Sequence, residues 1–155
     1  MAQVSNTPFR KYKQRAYEGG ISTPFIVCWK EGLGELENTW CRVPAFLPDV
    51  MTTLLSVSGA SYPSRYDGNR IKPLVGENML PAIRGDKESL HKYMYWEHQG
   101  NRAVRWKDWK AVWDQETNVW ELYDLSEDRV ETNDLAASHP QNTKRLSKKW
   151  DAWAR

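Results

Sequence analysis

The sequence predicts an α+β fold in which a four-stranded antiparallel sheet packs on a C-terminal helix. The first observation is a series of aromatic and β-branched segments, separated by short polar turns, between residues 92 and 123. The second is helical spacing near the C-terminus, where Leu146, Trp150 and Trp153 recur at i, i+4 and i+7. The third is the apolar segment at residues 25–29, which follows a proline and predicts a strand buried on both faces.

The N-terminal residues 1–24 are polar and irregular, with at most one helical turn. They place four cations within six positions, at Arg10, Lys11, Lys13 and Arg15. Charge runs are usually solvated, and Lys11 and Arg15 are expected to face water. Gly19-Gly20 predicts a backbone conformation that residues with a Cβ avoid. A basic loop and a glycine turn before a buried strand would suit a cation held beside an anion, and the alternative is an ordinary solvated loop.

The strand predicted at residues 25–29 has no partner strand close to it in the sequence. The chain is therefore expected to belong to a sheet that it does not itself encode, as a truncated protein would. Cys28 lies inside this apolar segment and is expected to be a buried free thiol. Together with Cys41 it is one of only two cysteines, too few for a disulfide framework. The N-terminus shows no signal core, and no membrane-spanning segment is expected.

A helix is predicted at residues 49–59, because Val50, Leu54 and Val57 share one helical face, Pro48 precedes it and Gly59 ends it. We expect this helix to serve packing. Residues 60–86 carry three prolines and three glycines and predict a long loop. Loops of this length are uncommon in compact domains unless they cover or serve something.

The meander is predicted to have one face covered by the C-terminal helix and one face in water. Residues 90–155 are expected to be the more stable part and residues 1–30 the less stable part, because only the former encode their own sheet and cover. The predicted strands and helix are residues 92–97, 102–106, 109–113, 119–123 and 140–154.

The formal charge is +2, from 22 basic and 20 acidic residues. This near balance argues against a nucleic-acid partner. Nine tryptophans in 155 residues favour either a dense aromatic core or a ring-binding surface. The segment from Trp106 to Lys110 interleaves aromatic and charged side chains. These observations favour one candidate function, that of a Trp-rich carbohydrate-binding module or a non-catalytic interaction module. It is the alternative to the function that the motifs described next imply.

The segment Glu18-Gly19-Gly20, followed by Pro24 and Trp29, resembles the Glu-Gly-Gly-x-x-x-Pro-x-x-x-x-Trp signature of the sulfatases, members of the alkaline-phosphatase-like superfamily. The likeness continues with arylsulfatase-like motifs in Trp96-Glu97-His98-x-Gly100-Asn101-Arg102, Trp109-Lys110, Trp120-Glu121-Leu122-Tyr123 and Glu131-x-Asn133-Asp134-Leu135. It covers only the C-terminal part of such an enzyme. The resemblance implies that residues 1–86 end a catalytic α/β domain. Residues 87–155 would then form the small C-terminal subdomain of sheet and helix.

The resemblance also implies where a sulfate ester would be bound. Lys13 occupies the position, six residues before the first glycine, at which the family's lysine reaches the substrate sulfate. His98 ends a strand at a turn that, in the full fold, faces the organic group of the substrate, and Asn101 shares that turn. The alternative for Lys13 is a solvated surface lysine, and that for His98 is a structural histidine.

Sulfate-ester hydrolysis needs an activated nucleophile, a cation for the sulfate oxygens and a proton donor. The family's nucleophile is a formylglycine made from Cys or Ser in a Cys/Ser-x-Pro-Ser-Arg motif. Ser61-Tyr62-Pro63-Ser64-Arg65 imitates it without the Leu-Thr-Gly that should follow, and we interpret it as a decoy. The family's calcium ligands have no counterpart here, because Asp124, Glu127 and Asp128 are expected to serve turns. The isolated chain is thus expected to be inactive. The resemblance implies nothing firm about localisation, since full-length relatives are often periplasmic or secreted.

Overall fold

The structure is a computed structural model that describes residues 4–36 and 38–155. The chain divides into two compact units. One unit combines the segment ending at Ile26 with Lys92–Arg155, and the other is Val27–His91. The boundary expected between residues 86 and 87 concerns the subdomains of a larger enzyme and stays a prediction. Within the described residues, no helix has both the length and the apolar character needed to cross a membrane.

Helices and strands follow one another along the chain with two short 3₁₀ turns, at Val4–Asn6 and Gly34–Leu36. The helices are α1 (Glu18–Ile21), α2 (Lys30–Leu33), α3 (Leu47–Ser58), α4 (Leu80–Ile83) and α5 (Pro140–Trp153). The strands are β1 (Arg65–Tyr66), β2 (Asn69–Arg70), β3 (Met94–His98), β4 (Asn101–Trp106), β5 (Trp109–Asp114) and β6 (Val119–Asp124).

The first unit is built around the predicted meander. Its four strands are antiparallel, in the spatial order β3-β4-β5-β6, which confirms the predicted sheet. The β3–β4 hairpin turns through Gln99 and Gly100, whose φ angles of 49° and 79° suit a tight two-residue turn. This turn makes His98 and Asn101 directly opposed partners in the sheet.

Helix α5 covers one face of the sheet, as predicted. Leu146 and Trp150 are buried from the helix side, against the strand residues Val104, Ala111 and Leu122. The indole Nε1 of Trp150 also donates a hydrogen bond to the backbone carbonyl of β3, at a distance of 2.9 Å. Burial of the indole ring is therefore combined with satisfaction of its only polar atom.

The opposite face of the sheet is not in water, and that prediction was wrong. Ala16 and Tyr17 of the N-terminal segment pack against this face and bury Ala103, Val112 and Tyr123. The sequence carried a signal for this second layer. Each inner strand has two adjacent apolar residues in place of strict alternation, and adjacent strand residues point to opposite faces.

Residues 25–29 form no strand, contrary to the prediction. Ile26 is 90% exposed, Phe25 is largely exposed, and Cys28 is an exposed free thiol where a buried one was expected. An apolar run indicates where a strand can be buried, but pairing needs a neighbouring strand. The described residues place none beside this segment.

The second unit is organised by α3, which confirms the predicted helix. Its predicted apolar packing face is not buried, because Leu54 and Val57 are exposed, and the buried residues of the helix are Asp49 and Thr53. Gly59 ends the helix with a φ angle of 68°. Asp49 is fully buried, and its carboxylate accepts hydrogen bonds from the backbone N–H groups of Phe46 (2.6 Å) and Glu77 (2.7 Å) and contacts His91 Nε2 at 2.9 Å. The loop predicted at residues 60–86 is thereby tied to the helix, and it contains β1, β2 and α4.

Candidate functional site

Arg15 is bound to the sheet, although the charge run predicted a solvated side chain. Its Nη1 donates to Oδ1 of Asp114 at 3.0 Å and to Oδ1 of Asn101 at 3.2 Å, and its Nη2 pairs with Glu116. The hydrogen bond to Glu116 raises the pKa of Arg15 above its usual value. These contacts attach the N-terminal segment to the end of the sheet where β4 begins and β5 ends.

Arg10 is a second anchor of the same segment. Its Nη1 donates to the hydroxyl of Tyr123 and to the carbonyl oxygen of Glu131, both at 2.8 Å. The guanidinium also lies 4.8 Å from the ring centroid of Tyr17, within the range of a cation–π contact. Of the four cations in the basic run, Arg10 and Arg15 thus fix the segment, Lys11 is half-buried, and Lys13 is exposed.

Gly19 and Gly20 let the backbone of this segment fold closely upon itself. The Gly19 N–H donates to the Arg10 carbonyl at 3.1 Å, and a Cβ on Gly19 would lie only 2.3 Å from that oxygen. A Cβ on Gly20 would lie 2.0 Å from the carbonyl oxygen of Arg15. The pair is therefore required for close approach of two backbone stretches rather than for the unusual backbone conformation that the sequence predicted.

Glu18 joins this segment to a buried ion network in the sheet. Lys110 of β5 is fully buried, and its Nζ lies 2.9 Å from Oε1 of Glu18 and 2.7 Å from Oε1 of Glu131. Arg129 donates to the second oxygen of Glu18 at 3.0 Å. Lys110 is therefore an interior residue, and it does not belong to the charged and aromatic surface suggested by the sequence from Trp106 onward.

The two carboxylates of the network differ in their electrostatics. Burial raises the pKa of Glu18, but the cations Lys110 and Arg129 outweigh this effect and bring its pKa below the usual value. Burial also raises the pKa of Glu131, and there the attraction of Lys110 offsets only part of the effect, so this pKa stays above the usual value. Glu18 is thus the better stabilised anion of the pair.

A cavity of about 450 Å³ lies between the N-terminal segment and the end of β3. It brings together Lys13 and His98, two residues that the sequence singled out from separate motifs. Within residues 4–36 and 38–155, no acidic side chain forms an ion pair with Lys13. The remaining lining residues are Gln14, Arg15, Ala16, Gly20, Ile21, Trp96 and Glu97.

Asn101, the third sequence-predicted site residue, lies beside the cavity and does not line it. Its side chain is 4% exposed and is used in four hydrogen bonds. The amide nitrogen donates to the carbonyl oxygens of Gln14 (3.1 Å) and His98 (3.3 Å), and the amide oxygen accepts from Arg15 and from the N–H of Gln115. Asn101 therefore connects the two walls of the cavity.

Sequence reasoning did not identify Trp96 and Glu97 as lining residues. The signal for Trp96 was present, because it lies two positions before His98 in a strand and must share its face. It also lies opposite Ala103, whose side of the sheet is covered by the N-terminal segment. Glu97 Oε1 accepts the Gly100 N–H at 3.1 Å, so this carboxylate also helps to close the hairpin turn.

The motif Ser61-Tyr62-Pro63-Ser64-Arg65 lies in the other unit, and Ser61 is exposed in a segment without regular secondary structure before β1. The described residues include no group of three or more His, Cys, Asp or Glu side chains that could hold a metal ion. Asp124 and Asp128 serve turns, as expected. Asp124 accepts the N–H of Ser126, and Asp128 accepts the N–H groups of Thr132 and Asn133.

A four-stranded antiparallel meander packed on a terminal helix is the arrangement that the sulfatase resemblance implied. The model of the family described as N-sulphoglucosamine sulphohydrolase, C-terminal, matches residues 9–152. The chain therefore belongs to this family of sulfatase C-terminal domains.

Similar proteins include sulfatases from animals and fungi. The steryl-sulfatase of Mus musculus is 34% identical over 113 residues, which cover 70% of this chain and 16% of that protein. A sulfatase of Schizosaccharomyces pombe is 28% identical over 158 residues, which cover 96% of this chain and 28% of that protein. The chain thus spans less than a third of the length of these relatives.

Among solved structures, the crystal structure of Ps i-CgsB matches with a TM-score of 0.57 and 24% identity. The match covers 73% of this chain and 25% of that one. At this level of identity the comparison concerns the fold, and it agrees with the α+β arrangement of sheet and C-terminal helix.

Proposed function

We propose that this chain is the C-terminal, substrate-binding part of an arylsulfatase, a sulfuric ester hydrolase, and that Lys13 contacts the sulfate group of the ester. The observation that carries the proposal is the cavity shared by Lys13 and His98. Two family motifs far apart in the sequence supply one wall each. Lys13 brings a positive charge to this cavity with no acidic partner among the described residues.

The chemistry of the lining suits a sulfate ester. A lysine ammonium is a compact point charge that can lie against a sulfate oxygen and offset its negative charge. The imidazole of His98 can donate or accept a hydrogen bond with the organic group of the ester. Asn101 would act indirectly, because its amide is already used to hold Gln14 and Arg15 against the hairpin turn.

The family's calcium and formylglycine do not fit the residues described here. Calcium takes about six to eight oxygen ligands, and the described residues offer no such cluster. Ser61 is not positioned at the start of a helix, where the family's modified residue lies. Binding of the ester, rather than its cleavage, is therefore the role assigned to this chain, and we propose that the chain alone does not hydrolyse sulfate esters.

The Trp-rich binding module is the alternative function, and the packing of the tryptophans weighs against it. Trp106 and Trp109 are half-buried and pack against the core beneath α5. The guanidinium of Arg145 lies 4.0 Å from the ring centroid of Trp106 and covers one of its faces. The ring of Trp109 has a partner of its own, since its centroid lies 5.1 Å from that of His139.

The proposal is tested by titrating the isotope-labelled chain with 4-nitrophenyl sulfate and following backbone amide shifts by NMR. The shifts should concentrate at residues 13–16, 20–21 and 96–98, and 4-nitrophenol should not produce them. Lys13→Ala should weaken binding about fivefold, the size expected for one exposed ion pair.

Lys11→Ala is the matched control, because it removes a neighbouring charge that does not line the cavity, and it should leave binding unchanged. Arg15→Ala is not a suitable control, since it breaks the contacts to Asp114 and Asn101. Equal effects of the two lysine variants, or shifts scattered outside the cavity, would show that Lys13 is not the sulfate contact.

A further inference from the structure

The buried ammonium of Lys110 holds the N-terminal segment at a single residue, Glu18. Three groups fix this residue at both its main chain and its side chain. Its N–H donates to Oε2 of Glu131 at 2.6 Å, one carboxylate oxygen lies 2.9 Å from Lys110 Nζ, and the other accepts from Arg129 at 3.0 Å. Both the amide and the side chain of Glu18 are thus bound to residues outside the N-terminal segment.

Glu18 lies inside the part of the chain that forms the cavity wall. Residues 13–16 line the cavity before it, and Gly20 and Ile21 line it afterwards. Glu18 itself is 4% exposed and is directed to the interior of the sheet. The wall therefore consists of two lining stretches joined by residues 17–19, of which Glu18 is bound to Lys110 of β5.

Such a network is a poor source of stability. Burying charged groups costs several kcal/mol per ion, and apolar side chains of similar volume often stabilise a fold equally well. Its distinctive property is geometry, because two charged contacts and one backbone hydrogen bond fix Glu18 in one position. A network of this kind is suited to holding a functional loop at a defined place.

We propose that Glu18, held by Lys110 and Glu131, is a positioning residue that sets the place of Lys13 at the cavity. The inference rests on the proposed function, in which Lys13 is the sulfate contact. Glu18 touches no ligand in this account. It acts through the backbone of residues 13–17, whose course is fixed at Glu18 and at Arg15.

The test uses Glu18→Gln, which keeps the size of the side chain, removes its charge and leaves Lys110 paired with Glu131. Without ligand, the amide signals of residues 11–16 should move and exchange faster with solvent, while those of β4 stay in place and those of β5 move only next to Lys110, whose contact is lost. Glu127→Gln removes one exposed acidic charge and is the matched control, for which no such change is expected.

The second readout is binding of 4-nitrophenyl sulfate. Glu18→Gln should weaken binding by up to about fivefold, no more than Lys13→Ala does, since one lost exposed ion pair sets the size of both effects. The double variant should bind no more weakly than Lys13→Ala alone, because residues that act through the same contact are not additive. A purely structural role would instead weaken binding further in the double variant.

Unmoved amides at residues 11–16 in Glu18→Gln would overturn the inference, as would additive losses in the double variant. If the native chain does not bind the probe, the proposed function fails, whereas the ligand-free amide signals still decide the positioning role. If Glu18→Gln does not fold, Arg129→Gln removes only the half-exposed contact and should shift the same amides less. An unchanged segment in Arg129→Gln would then reject the proposal.

Discussion

Lys110 lies between two carboxylates whose pKa values move in opposite directions. Burial raises the pKa of Glu131 above its usual value, whereas cations bring that of Glu18 below it. The folded protein therefore binds a proton at Glu131 more tightly than the unfolded chain does. Stability from Glu131 is present at low pH and is lost as the pH rises from about 4.5 through the raised pKa. The contribution of Glu18 to stability depends on pH in the opposite direction. It is present above the usual pKa of a glutamate and is lost as the pH falls through the lowered pKa of Glu18.

Glu131→Gln should remove the loss of stability that we expect of the native protein as the pH rises from about 4.5 through the raised pKa of Glu131. Each pKa unit of elevation corresponds to about 1.4 kcal/mol of unfolding free energy across that window. Urea unfolding at a series of pH values measures the effect, and the variant should give the flatter profile. Glu127→Gln, the exposed control, should follow the native profile. Parallel profiles for the native protein and Glu131→Gln would show that Glu131 does not titrate in this window.

At the scale of elements, the sheet is a layer buried on both faces, and its two covers have different origins. Helix α5 covers one face through apolar side chains, and the N-terminal segment covers the other through Ala16, Tyr17 and the anchors Arg10 and Arg15. The expectation that residues 1–30 are less stable than residues 90–155 stays a prediction, and the structure adds a division within the N-terminal residues. Residues 10–21 are held against the sheet, and residues 25–29 are not.

Hydrogen exchange should show this division directly. Amides of β4 and β5 exchange only on opening of the whole unit, because these strands are central and covered on both faces. Amides of residues 25–29 should exchange close to the rate of an unstructured chain, and those of residues 17–21 should lie between the two. Protection of residues 25–29 equal to that of β5 would mean that this segment pairs with a strand in solution.

The meander, α3 and α5 were predictable because their signals are local. Alternation, turn residues and helical spacing all operate over fewer than about eight residues. The cover of the second sheet face is a different case. Arg15 contacts Asp114 across 99 residues, and Arg10 contacts the Glu131 carbonyl across 121 residues. A charge run shows that cations are present, but their partners are defined only by the fold, and solvation was therefore the wrong expectation for Arg15.

The candidate site shows the same distinction. Family motifs identified Lys13, His98 and Asn101 one by one, and the fold places the first two at one cavity. Lys13 and His98 are 85 positions apart in the sequence. Asn101 connects the two walls of the cavity, because its amide binds the carbonyl oxygens of Gln14 and His98. The ion network of Lys110 was not predicted, because a lysine in a strand next to tryptophans is more often directed to the surface.

At the scale of the whole molecule, the residues that we propose to bind a sulfate ester and the nucleophile-like motif belong to different units of the chain. Lys13 and His98 line the cavity, whereas Ser61 of the nucleophile-like motif lies in the other unit, exposed and outside any helix.

We therefore expect no turnover of 4-nitrophenyl sulfate by the 155-residue chain, with or without added calcium. Release of 4-nitrophenol, followed by absorbance, measures this directly. If turnover is seen and Ser61→Ala abolishes it, the motif at residues 61–65 is a true nucleophile. Turnover that survives Ser61→Ala but is lost in Lys13→Ala would instead indicate that the cavity itself cleaves the ester.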